Sequence, residues 1–80
     1  MSSDLSARHP ATQQVARWLE PNPSLPAGAP ATVAAVMCDT RDRLLELAGD
    51  GAELTVALRH LVDAKDAAVR QAISDSGLVR

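Results

Sequence analysis

The stretch Asp50-Gly51-Ala52-Glu53-Leu54-Thr55-Val56-Ala57-Leu58-Arg59, continued through Ala64-Lys65-Asp66-Ala67-Ala68-Val69-Arg70 to Ala72, decides the fold. Asp50 and Glu53 have the spacing of an acidic capping box, and Gly49 suits the left-handed residue that closes a preceding helix. From about Ala52 to about Ser74, Leu54, Leu58, Leu61, Ala68, Val69 and Ala72 return to one side at helical spacing, and Ser76-Gly77 should end the run. Gly49-Asp50-Gly51 permits only a tight reversal, so the segment before it is expected to run back alongside.

That segment is helical by the same test. After Pro30, a first-turn proline, the residues Val33, Val36, Met37, Thr40, Leu44, Leu47 and Ala48 fall within about 120° of a helical wheel. Asp39, Asp42 and Glu46 lie opposite. Further upstream, Pro10 begins a short helix in which Ala11, Val15, Trp18 and Leu19 share a face. Pro21, Pro23, Pro26, Gly28 and Pro30 keep residues 20–30 irregular and stiff. Residues 1–8 are polar and aperiodic and read as a flexible leader to a single domain at 9–80. Alanine is abundant and no sustained apolar/polar alternation occurs, so strands are not expected. The predicted fold class is all-α: an antiparallel two-helix hairpin crossed by a short N-terminal helix, and oligomeric.

Oligomerisation follows from size. A chain of 80 residues has a thin core, and small proteins usually add disulfides, a metal or subunits. Cys38 is the only cysteine, and His9 and His60 stand far apart, so no disulfide and no recognised zinc spacing is available. A lone hairpin also leaves Val56, Val62 and Ile73 outside its main stripe, a second apolar surface that suits a subunit contact. The start Met1-Ser2-Ser3-Asp4 lacks a basic segment followed by an apolar run, and no long apolar run occurs later, which predicts a protein neither secreted nor membrane-spanning, hence cytoplasmic. A net charge of -2 without any Lys/Arg block argues against DNA or RNA as partner but leaves room for a small anion.

No catalytic constellation, cofactor motif or metal set is readable, and Cys38 has no histidine near it in sequence. Asp63 and Asp66 stand four residues from Arg59 and Arg70, the spacing of solvated ion pairs. Lys65 lies in the middle of the last helix's apolar stripe, where it either snorkels to solvent or meets a phosphate at a subunit junction. Trp18, the only aromatic residue, follows Arg17; the pair suits a purine ring and a phosphate, or the indole anchors the first helix on the hairpin. Arg41 and Arg43 read as rim residues of the middle helix's stripe.

The run His9-Pro10-Ala11-Thr12-Gln13-Gln14, the Leu25-Pro26 step, Asp50 to Arg59 and Ala64 to Arg70 together resemble the small phage-encoded anti-CBASS sponge family. The resemblance spans roughly residues 9–73 and is strongest over the last helix. It implies a helical hairpin assembled as a hexamer that sequesters, without degrading, the cyclic dinucleotide and cyclic trinucleotide messengers of bacterial antiphage signalling. It also implies a place in the host bacterial cytoplasm. In such proteins a base stacks on an aromatic residue near the end of the first helix, a position matched by Trp18. The family's lysine early in the second helix has no counterpart in Val33-Ala34-Ala35-Val36-Met37. Thr55, Arg59 and Arg70 carry over as candidates for the cyclic trinucleotide pocket.

The expectation is thus a non-enzymatic sponge for a cyclic GMP-AMP-like or cyclic tri-AMP-like ligand. Its candidate ligand-binding residues are Arg17, Trp18, Thr55, Arg59, Lys65 and Arg70. The alternative is a helical protein-protein interaction module without a small ligand.

Overall fold

A computed structural model describes residues 8–77. They form three helices, α1 (Pro10–Arg17), α2 (Ala29–Leu47) and α3 (Ala52–Asp75), and no strand occurs among the described residues. Residues 1–7, nearly all of the expected leader, lie outside the description, but Arg8 lies inside it and is heavily engaged. α3 is the common partner: both α1 and α2 pack against it.

Each helix starts and stops for local reasons. α1 opens on Pro10, whose missing N–H costs nothing at that position, and His9 caps it by accepting the Ala11 N–H at Nδ1 over 3.1 Å. α2 opens with Pro30 in its first turn behind Gly28, whose φ of 94° only glycine adopts without strain. α3 ends at Ser76, followed by Gly77 at φ 76°, the left-handed closure expected there. The turn between α2 and α3 departs from expectation. Gly49 is not left-handed; α2 ends instead on an extended Ala48. Asp50 caps nothing, because Gly51 is the N-cap of α3 and no side chain bonds to that end.

The core is assembled from Val15, Ala16 and Leu19 of the α1 segment, Leu45 of α2, and Leu54 and Leu58 of α3, with Met37, Leu44, Ala48, Leu61 and Val62 packed around it. The stripe expected on α3 holds. On α2 the buried face is turned by roughly a quarter of the circumference from the apolar stripe, at about 100° per residue. Pro30, Ala34, Arg41 and Leu45 are buried there, whereas Val36 and Leu47 are 53% and 73% exposed. Small Ala34 lets the helices approach, and Arg41 faces inward because the end of α1 needs donors.

That need explains the two buried cations. The chain leaves α1 through a tightening turn in which the N–H groups of Trp18, Leu19 and Glu20 reach back three residues. The last carbonyls of a helix lack partners of their own. Arg41 Nη1 donates to Ala16 O at 3.0 Å and to Glu20 Oε1 at 2.7 Å, while its Nε and Nη2 hold Asp42. Lys65 Nζ donates to Trp18 O at 2.9 Å and Glu20 O at 3.0 Å. Arg41 is thus no rim residue. Lys65 is 9% exposed and is held by backbone rather than snorkelling. Burial works against the Arg41 charge, but its hydrogen bonds to Glu20 and Asp42 outweigh that and hold its pKa above the ordinary value. A third cation closes α2: Arg8 donates through Nη1 to Ala48 O at 3.0 Å and through Nη2 to Leu45 O.

Surface pairs behave differently. The i,i+4 pairs expected between Arg59 and Asp63 and between Asp66 and Arg70 are not formed; all four side chains stay in solvent, where such pairs gain little. Lys65→Met and Arg41→Met should therefore each lower stability by about 2 kcal/mol, since carbonyls that accept charge-assisted bonds lose them. For a chain of this size that is a fall in Tm of about 10 °C. Arg43→Met, at a side chain 69% exposed and paired only with Glu46, should change stability by less than about 0.5 kcal/mol. Thermal unfolding followed by circular dichroism checks the contrast; equal shifts in all three would contradict it.

Candidate functional site

Where α1 begins, the α2–α3 turn passes beside it, and the two form an open cleft of about 730 Å³. That lies within the roughly 300–1,000 Å³ of typical small-molecule sites. Its polar lining is Arg8, His9, Thr12, Asp50, Thr55 and Arg59; Ala11, Gly51, Ala52 and Val56 supply the rest.

The cleft collects positive character from several sources. Residues at the starts of α1 and α3 line it, and the first turn of a helix favours an anion. The first turn of α3 has no side-chain cap. Arg59, on the next turn, is exposed and has no hydrogen-bond or ion-pair partner among the described residues. Thr12 and Thr55 face each other across α1 and α3 with their hydroxyls 3.3 Å apart; Thr12 is buried, and Thr55, half-buried, is the one of the two that reaches the open side of the cleft. Against these stands Asp50. Its carboxylate accepts from Arg8 Nη1 at 3.0 Å and from the His9 N–H at 3.3 Å. The carboxylate that the capping-box spacing assigns to α3 is thus spent on the start of α1.

The sequence-derived candidates fall in three places. Thr55 and Arg59 lie in the cleft. Arg17 and Trp18 lie at the other end of α1, six residues beyond Thr12 at Trp18, or roughly 9 Å along the axis. There the indole is 54% exposed, and buried Leu19 anchors the segment in its place. Lys65 sits beneath that end with its ammonium bonded to the Trp18 and Glu20 carbonyls. Arg70 is exposed on α3, eleven residues past Arg59 and roughly 16 Å along the helix. Arg8, His9, Thr12 and Asp50 were not singled out as site residues. His9 to Thr12 stood in the quoted motif, but nothing in spacing says that this motif meets the turn at residue 50.

Elsewhere, burial pushes the Cys38 thiol up from its ordinary pKa; Arg41 opposes this, and Glu20, Asp42 and Asp39 add to it. Such a thiol is protonated at neutral pH and a poor nucleophile. Among the described residues no group of three or more His, Cys, Asp or Glu side chains is placed to hold a metal ion, and no helix is long and apolar enough to cross a membrane. A scan against protein-family models, a search of the curated proteins and a search of the solved structures each gave no match.

Proposed function

We propose that this chain is a non-enzymatic sponge that binds and sequesters a cyclic nucleotide messenger, of the cyclic tri-AMP or cyclic GMP-AMP kind, in the bacterial cytoplasm. The observation that carries the proposal is the cleft at Thr55 and Arg59, where an unpaired guanidinium, a half-buried hydroxyl and the uncapped first turn of α3 line one open cavity beside the start of α1. A phosphodiester presents the complementary groups: a delocalised negative charge and acceptor oxygens on a compact ring. The lining offers donors held by rigid helices, which suits retention of a ligand. The resemblance at residues 50–59 points the same way, since Thr55 and Arg59 belong to it.

The chain acts, in this proposal, as a homo-oligomer of antiparallel α2–α3 hairpins, a hexamer by the resemblance. What supports assembly is the outward side of α2 rather than α3. Val62 packs on the core and Ile73 is half-buried, leaving of the expected surface only Val56, which lines the cleft. On α2, Val33, Val36, Thr40 and Leu47 recur at i, i+3, i+7 and i+14, the spacing of a helix-packing seam. The Thr40 hydroxyl donates to Val36 O at 2.8 Å, which hides its polarity and presents its methyl. Assembly also gives Trp18 and Arg17 a role: one chain keeps them apart from the cleft, and a neighbouring copy can place them beside a second base or phosphate.

Two measurements test this. Leu47→Asp and Val36→Asp should shift the sedimenting species from oligomer to smaller forms while leaving helicity unchanged, because they place charge on the seam and none in the core; a wild-type chain that sediments as a monomer defeats the assembly. In isothermal titration with cyclic tri-AMP and cyclic GMP-AMP, Arg59→Ala should weaken binding about tenfold, or about 1.4 kcal/mol. Trp18→Ala should weaken it by about 1–3 kcal/mol if a base stacks on the indole. Ligand recovered from the heat-denatured complex should be intact. If the folded wild-type chain binds neither nucleotide, the sponge fails and a protein-interaction module acting through the α2 seam takes its place.

A further inference from the structure

Resting on the cleft as an anion site, we infer that Asp50 is a built-in competitor of the ligand: its carboxylate occupies the donors that a bound phosphate would use, and binding displaces it. Three observations carry this. First, Asp50 lies in the cleft, on the turn and not on a helix, with its side chain 41% exposed, so it can swing away without unpacking the core. Secondly, the donors it takes are the ones an anion at the start of α1 needs, the Arg8 guanidinium at 3.0 Å and the His9 N–H at 3.3 Å. Thirdly, those donors stay in place when it leaves. Arg8 remains tied to the Leu45 and Ala48 carbonyls, and the His9 N–H is fixed by the imidazole cap on Ala11. The site left behind is therefore a preformed pair of donors beside Arg59 rather than a loose loop.

The arrangement sets a threshold for weakly charged ligands. A monoanion or a neutral molecule cannot replace one carboxylate with net gain, because the ion pair lost offsets the one formed. A cyclic oligonucleotide carries several phosphodiesters, so one can displace Asp50 while another meets Arg59.

Asp50→Asn tests this directly, since asparagine keeps an acceptor for the His9 N–H and loses the charge and the second acceptor that hold Arg8. Titrated with cyclic tri-AMP, the variant should bind it about fivefold more tightly than wild type, the worth of an exposed ion pair. Asp75→Asn, which removes an equal charge far along α3, should leave that affinity unchanged. Should Asp50→Asn prove poorly helical by circular dichroism, Asp50→Ser replaces it with the same expectation. Unchanged or weaker cyclic tri-AMP binding in the folded variant, alongside weakened binding in Arg59→Ala, overturns the competitor while the cleft stands. Absence of cyclic tri-AMP binding in the wild-type chain itself overturns the cleft and the competitor together.

Discussion

The fold hangs on the end of α1. A helix of eight residues is too short to be stable by itself, and the carbonyls at its end need donors that the helix does not supply. Two cations from different helices meet that demand, Arg41 of α2 and Lys65 of α3, and each brings the favourable sign to the negative end of the helix. The same bonds fix the turn through Glu20 and seat Leu19 in the core beside Val15, Leu45 and Leu58. Arg8 repeats the device at the end of α2, which has no basic residue in its own last turn. A thin apolar core is thus completed by long cationic side chains whose stems lie among the aliphatic residues and whose heads close helix ends.

This explains which parts of the architecture were legible in the sequence. Helix limits were, because they depend on local chemistry: Pro10 and Pro30 at the starts, Gly77 at the end of α3, and the apolar period between. The inward face of α2 was not. Apolarity favours Val33, Val36 and Leu47, but the position facing α1 is fixed by where the Ala16 carbonyl and the Glu20 carboxylate meet a donor, and that is visible only once α1 is in place. Lys65 was flagged as anomalous for the right reason, a charge in an apolar stripe. Its partners, 47 and 45 residues away, belong to a turn with no signature pointing to α3.

The cleft shows the same division. Thr55 and Arg59 could be singled out because they stand four residues apart on one face of α3, a spacing the sequence shows. Arg8, His9 and Asp50 could not, since Asp50 beside Gly51 and Glu53 is indistinguishable in sequence from a helix cap. It fails to cap because a stronger demand lies across the turn: an arginine and an N–H that hold it with two bonds instead of one. Local propensity lost to tertiary electrostatics at both misread positions, Arg41 and Asp50.

A consequence for function follows from where the surfaces lie. The cleft is built from α1, the α2–α3 turn and α3, while the uncovered apolar side belongs to α2. Burying the α2 seam against another copy therefore costs the cleft none of its lining. The exposed indole of Trp18 lies at the far end of α1 and is not part of the lining that holds Arg59. If both belong to ligand sites, one chain holds two separate half-sites, and assembly is what completes them. In the proposed sponge, an oligomer with several such sites would lower a ligand's free concentration in proportion to the chains present, with rigid helices holding the donors in place.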